Sequence, residues 1–268
     1  MLPLAPLQLA ELSGAERRRR LRQALEVLPM PSPSWKEQLA VQGALVEAWL
    51  EGGEALRSPS VQGTIHPGGT VEVLSTHEQI LGGPSGQTYL GCCFPADDAY
   101  RVALMRHGQA VGEALAQEGC LERYAVDFIA RRINGVWDVQ AIEVNLRQGG
   151  TTHPYMALRA ITTGQLDPTT GLFLAPTGQP LHYRATDNLV DPQLRGLLPA
   201  DLVDIVAEAS LHYDPARLRG SVFHLLGCLS EFGKLGMTCV ATSPAEADQV
   251  YGATKAALLA AARGISSR

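Results

Sequence analysis

The chain has 268 residues, and its 22 lysines and arginines stand against 27 aspartates and glutamates, for a formal net charge of −5. With 46% hydrophobic and 18% charged residues it is too apolar to stay disordered, and its length suits one large folded domain or two small ones. An acidic balance with 6% aromatics argues against a surface built to bind nucleic acid.

No window reaches the ~18 consecutive apolar residues that a membrane-spanning helix requires. Met1 to Ala10 is apolar, but its positive charges follow at Arg17 to Arg20, the reverse of a secretory leader, so the chain is expected in the cytoplasm. That basic run, with Arg22, reads as the solvated face of a short helix. Five cysteines (Cys92, Cys93, Cys120, Cys228, Cys239) are an odd number without CxxC spacing, which favours reduced thiols over a disulfide framework or a zinc site.

In chain order, Ser13 to Glu16 spells a capping box and opens a helix to about Leu28. Pro31 and Pro33 interrupt it, Ser34 caps a second short helix from Trp35, and Gly43 ends that one. From Ala44 the pattern turns toward strand. Val61 to Ile65 and Thr70 to Leu74 are β-branched runs joined by His66-Pro67-Gly68-Gly69, a hairpin signal. Gln87 to Phe94 reads as a buried strand, and Asp97 or Asp98 caps a helix to about Glu118. Strands Tyr124 to Arg131 and Val136 to Val144 meet at Asn134-Gly135, the strongest turn signal in the chain. A helix over Tyr155 to Thr163 is followed by an irregular stretch from Leu166 to Arg195, with a plausible subdomain boundary there. The last third carries a helix near Pro199 to Ala209, strands near Ser221 to Leu229 and Met237 to Ala241, and a final helix opened by Ser243-Pro244-Ala245-Glu246. Mixed elements with strong hairpin signals predict an α+β fold.

Two stretches carry chemistry. Glu143 and Asn145 are two residues apart and therefore share a strand face, and pairing across the Asn134-Gly135 turn can bring Asp127 onto that face. Two carboxylates ~4 Å apart repel by roughly 4 kcal/mol at an effective dielectric near 20, so a hard cation between them is the natural resolution, and Mg²⁺ suits one or two carboxylates completed by phosphate oxygens. Arg147 follows, able to hold a phosphate or carboxylate in bidentate fashion. Behind it, Gly149, Gly150, Thr151, Thr152 and His153 offer backbone amides and hydroxyls to an anion. Each element alone equally describes an exposed polar strand face. The second stretch, Val46 to Glu54, is a strand ending in a glycine-rich hinge, whose free backbone groups can read an adenine edge and whose Glu54 can accept from ribose hydroxyls. Taken alone it is equally a strand leading to a surface turn.

Together the two stretches resemble the ATP-grasp superfamily. Ser58-Pro59-Ser60-Val61-Gln62, Ser75-Thr76-His77-Glu78-Gln79, Phe94-Pro95-Ala96-Asp97, Asn145 to Pro154 and Phe223-His224-Leu225-Leu226-Gly227 look like its branch related to the pheganomycin peptide ligase. That resemblance implies an ATP-grasp fold with an antiparallel sheet: residues 1–57 as a remnant of the small lobe and hinge, 58–164 as the large lobe with the metal site, and 165–268 as a C-terminal α/β extension packing on it. It implies ATP and Mg²⁺ as cofactors. Asp127, Glu143 and Asn145 would hold the metal, Arg147 would face the transferring phosphate, and Gly149 to His153 would border the acceptor site. Glu47, Ala48, Trp49 and Leu50 would meet adenine, and Glu54 the ribose.

The implied reaction phosphorylates a substrate carboxylate with ATP, after which an amine attacks the acyl phosphate. No protein nucleophile is needed, and no persuasive triad is present. The family also places lysines and a glycine-rich loop over the triphosphate, ahead of the hinge. Here about 45 residues precede the hinge, and the lysines are Lys36, Lys234 and Lys255. The small lobe is therefore expected to be incomplete. Two readings stay open: a ligase whose remaining part lies in a longer or a second chain, or a non-catalytic nucleotide-binding or interaction module. A metal-dependent hydrolase would lack a water-activating base.

Overall fold

The computed structural model describes residues 13–16, 19, 41, 50, 55–83 and 86–266. It divides into two units, Met1–Gly52 and Gly53–Arg268. In the first, Ser13 Oγ accepts from the Glu16 amide at 3.3 Å, the start of the expected capping box, and Arg19 pairs with Glu16 at 2.6 Å. The rest of the two N-terminal helices and the hinge strand lie outside the described residues.

The second unit runs β1 (Leu56–Arg57), β2 (Pro59–Ile65), β3 (Val71–Gly82), β4 (Thr88–Phe94), α1 (Arg101–Gln117), β5 (Glu122–Ile133), β6 (Val136–Asn145), α2 (Thr152–Ile161), β7 (Gln165–Leu166), β8 (Phe173–Leu174), β9 (Pro180–Val190), α3 (Pro199–Glu208), β10 (Gly220–His224), α4 (Leu229–Phe232), β11 (Lys234–Ala241) and α5 (Pro244–Ser266). The main sheet follows the order β6-β5-β2-β3-β4-β9-β11-β10, every pair antiparallel, with β1 extending β2 along β5. The strands after residue 165 continue the same sheet, because β9 pairs with β4.

Alternation along β5 decides the two faces. Tyr124, Val126, Phe128 and Ala130 point to α1, where they pack with Val61, Tyr100 and Leu104. Gly108 and Gly112 let α1 lie close to the sheet: a Cβ at Gly108 would collide with Val61, and one at Gly112 with the Tyr124 ring. Tyr124 donates its hydroxyl to the Gly108 carbonyl at 2.9 Å. Helix α5 covers β9 and β11 on this side through Val250, Leu258 and Ala262. The other face carries α2, whose Tyr155 and Leu158 pack with Phe94, Tyr183 and Phe173. The first turn of α2 spans much of the sheet, since Thr152 meets Gln62 of β2 while the His153 ring lies 4.2 Å from that of His224 in β10.

The Asn134-Gly135 turn forms as expected, both residues at positive φ (51° and 83°). Three local expectations shift. Helix α1 begins at Arg101 because the Asp97 carboxylate closes a turn onto the Ala99 amide at 2.9 Å instead of capping the helix. The stretch expected to be irregular contains β9, in which Leu181, Tyr183 and Ala185 alternate inward. The strand expected to reach Leu229 ends at His224, where Leu225 turns to the left-handed region (φ 56°).

Candidate active site

On the α2 face, β5 and β6 bring the predicted oxygen donors together. Asp127 stands opposite Glu143, and Ala125 opposite Asn145. This register requires a bulge. From the turn up to Phe128–Ala141 the pairing is regular, and Ile142 would come next opposite Asp127; it is skipped. The extra residue turns Glu143 and Asn145 onto the Asp127 face, and Ile142 is left 45% exposed.

Asp127 is the half-buried centre of the group. Its Oδ1 accepts from Gln79 Nε2 at 2.7 Å and its Oδ2 from Asn145 Nδ2 at 3.2 Å. Burial, and next the charge of Glu143, push its carboxyl above the usual range, while the Gln79 bond and the charge of Arg147 pull the other way. Among the described residues no three His, Cys, Asp or Glu side chains gather as a metal cluster. The donor set is two carboxylates and an amide, all hard oxygen donors, with an electrostatic excess of negative charge at Asp127. That chemistry fits Mg²⁺.

Arg147 is exposed just past β6, its Nη1 donating to the Gln148 carbonyl at 3.2 Å and lying 3.9 Å from where a Cβ on Gly149 would be. The glycine-threonine loop is organised differently from an open anion cradle. Thr152 Oγ1 accepts from the Gly149 amide at 3.0 Å and donates to Gln62 Oε1 at 3.0 Å, while Thr151 Oγ1 accepts from Gln62 Nε2. Both threonines are buried, so their hydroxyls hold the loop on β2. Gly150 is bare because the Tyr89 ring occupies the space of its side chain. His153 is exposed, and beside it burial and the charge of His153 lower His224 to about 4.

Glu47, Ala48, Trp49 and Glu54 lie outside the described residues; Leu50 is half-buried. The sequence assigns no evident role to Gln62 and Gln79. Their only signal is a long amide at an inward strand position within two of the quoted motifs. His77 shares this face, wholly buried, its Nε2 2.7 Å from the Tyr183 hydroxyl. All five cysteines are free, and burial pushes the Cys92 thiol up to about 12.

Two solved structures share the fold at TM-score 0.51. They are the N5-carboxyaminoimidazole ribonucleotide synthetase of Thermus thermophilus (13% identity, 87% of this chain, 56% of that one) and the biotin carboxylase domain of the Hydrogenobacter thermophilus 2-oxoglutarate carboxylase, crystallised with MgADP, ADP and bicarbonate (14%, 86% and 49%). The chain shares with both the ATP-grasp fold, helices on an open antiparallel sheet. In sequence it is a homologue of a pheganomycin-type ligase, 33% identical over 234 residues to the L-propargylglycine–L-glutamate ligase of Streptantibioticus cattleyicolor. The match covers 87% of this chain and 46% of that relative, so the chain spans less than half the relative's length. Residues 201–254 match the family described as the PGM1 C-terminal domain.

Proposed function

We propose that the chain carries the metal and acceptor face of an ATP-dependent carboxylate-amine ligase, which forms an amide between amino-acid-like substrates through an acyl phosphate. The observation that carries this reading is the Asp127–Glu143 pair with Asn145 on one sheet face, in a homologue of a ligase whose name joins two amino acids. The γ-phosphoryl passes from ATP to an oxygen of the substrate carboxylate and ADP leaves; the amine then attacks the acyl carbon, the C–N bond forms as the C–O bond to phosphate breaks, and the amine gives up a proton.

In this reading Asp127, Glu143 and Asn145 hold Mg²⁺. When bound, Mg²⁺ supplies positive charge to the phosphate oxygens. Arg147, exposed at the surface beside them, offers paired N–H donors to the same charge, and loss of one such donor typically costs ~3 kcal/mol of barrier. Gly149 to His153, fixed from below by Gln62, border the acceptor. Glu47 to Leu50 take adenine and Glu54 the ribose. A nucleotide lobe supplied by a longer or a second chain, small-molecule or peptide carboxylate and amine substrates, and a cytoplasmic location accompany this reading. No helix among the described residues is long and apolar enough to cross a membrane.

The test is ADP release from Mg·ATP with a panel of amino acids, comparing the chain with its Glu143→Gln variant. Release that depends on amino acids and falls about a hundredfold in the variant supports the proposal. Nucleotide binding without turnover supports a non-catalytic module instead, and equal release by both proteins removes Glu143 from the mechanism.

A further inference from the structure

The two oxygens of Asp127 are held unequally. Oδ1 takes the short bond from Gln79, at 2.7 Å, and Oδ2 the longer one from Asn145, at 3.2 Å. Gln79 reaches Asp127 from β3, across the whole width of β2. It can do so because the intervening strand presents small side chains there: the Gln79 backbone amide donates to the Ser58 carbonyl at 3.2 Å, and Ser60 is the residue opposite Asp127. The inner strand therefore acts as a shelf over which one long amide is laid, and the amide ends on a single carboxylate oxygen.

A carboxylate whose Oδ1 holds a short bond from a half-buried amide offers a cation chiefly its other oxygen, Oδ2, whose bond from Asn145 is the longer and weaker one. Ca²⁺ gathers six to eight oxygens and readily takes a carboxylate through both; Mg²⁺ takes six at nearly octahedral angles and is content with one oxygen from each carboxylate. We propose that Gln79 is a specificity-determining residue for the metal: by occupying Asp127 Oδ1 it keeps Asp127 a one-oxygen ligand and favours Mg²⁺ over Ca²⁺. This rests on the reading of Asp127 as a metal ligand given above. Gln79 itself touches no substrate; it acts through the carboxylate it holds.

The experiment titrates the full chain, in the presence of ADP, with MgCl₂ and separately with CaCl₂ by calorimetry, and repeats this for Gln79→Met, Gln79→Glu and Asp127→Asn. Met keeps the length of the side chain and removes the donor. Its Mg²⁺ affinity should fall about tenfold, the usual scale for removing the partner that orients a ligand, while its Ca²⁺ affinity holds or rises. The ratio of the two is a readout that general loosening of the fold would not move. Glu keeps a polar group in place and adds an oxygen, so Ca²⁺ should gain on Mg²⁺ there as well, which answers the question should the Met variant fail to fold. An unchanged ratio in both variants, with metal binding lost in Asp127→Asn, overturns the role of Gln79 alone. A wild-type chain that binds neither cation, or binds both as well after Asp127→Asn, overturns the metal site and this inference together.

Discussion

Asp127 faces Glu143 only because β6 carries one residue too many at Ile142. Counting back from the Asn134-Gly135 turn, a regular ladder would set Ile142 against Asp127 and aim Glu143 at the α1 face. The bulge reverses the phase of the last strand residues, and the carboxylate pair exists by virtue of it. Deleting Ile142 removes the extra residue and leaves Glu143 opposite Asp127 and Asn145 opposite Ala125 in a regular ladder, so the deletion protein should keep its Mg²⁺ affinity, while the core formed by Val126, Phe128 and α1 keeps it folded. Ile142→Gly, which retains the extra residue, should bind Mg²⁺ like the wild type. Circular dichroism and a Mg²⁺ titration check both. Binding lost in the deletion protein would show that the bulge does more than set which face Glu143 and Asn145 occupy.

The Asp127 carboxylate is also a source of instability. Its pKa is raised in the fold by burial and by Glu143, so the folded chain holds this proton more tightly than the unfolded chain does. The contribution is most favourable below the ordinary carboxylate range and is lost as pH rises through the folded value; at neutral pH the ionised group strains the fold. Asp127→Asn should therefore raise stability at pH 7 by on the order of 1 kcal/mol, as functional-site replacements often do. Added Mg²⁺ should stabilise the wild type and leave the variant unchanged. Urea denaturation with and without the metal measures both effects. A destabilised Asn variant would contradict the electrostatic account.

How far the sequence foretells this site depends on which interactions are local. Asn134-Gly135 announces itself because both residues must adopt positive φ, and the i, i+2 spacing of Glu143 and Asn145 fixes their common face wherever the strand lies. The bulge at Ile142 has no such signature: an isoleucine between Ala141 and Glu143 looks like any other strand position. Strand β9 is hidden in the sequence because Pro180, Asp187 and Asn188 mask the inward alternation of Leu181, Tyr183 and Ala185. Gln62 and Gln79 carry no local signal of a role, because their partners, Thr151 and Thr152 for the one and Asp127 for the other, are distant in sequence. The contact between His153 and His224 joins residues 71 apart in sequence across the sheet, and no local pattern encodes it.

Gln62 is 2% exposed and joins β2 to the start of α2 by donating to Thr151 and accepting from Thr152. Gln62→Met should leave both threonine hydroxyls without that partner and cost ~1–3 kcal/mol, read from the urea midpoint. In a turnover assay the same change should raise KM for the amine acceptor more than KM for ATP, if the loop it holds borders the former as proposed. Equal rises in both constants would mean that Gln62 supports the fold generally and not the acceptor loop.

His77 provides a pH test of the buried floor beside the site. Burial alone depresses it to about 3, whereas an unfolded histidine titrates near 6.5, so between these values the unfolded chain binds the extra proton. Its contribution to stability is complete above the unfolded value and drains as pH falls toward the folded one. His224, lowered to about 4, acts in the same direction over a narrower window, while the raised carboxyls of Asp127 and Glu78 act in the opposite one. The raw pH–stability curve therefore mixes signs, and the difference between wild type and His77→Gln isolates one group. Glutamine can still reach the Tyr183 hydroxyl but does not titrate. The wild type should be the more stable protein at pH 7, and its advantage should shrink steadily from about pH 6 downward, with denaturation midpoints converging or crossing near pH ~4.5. Parallel curves over that interval would mean that His77 takes up its proton inside the fold, against its complete burial.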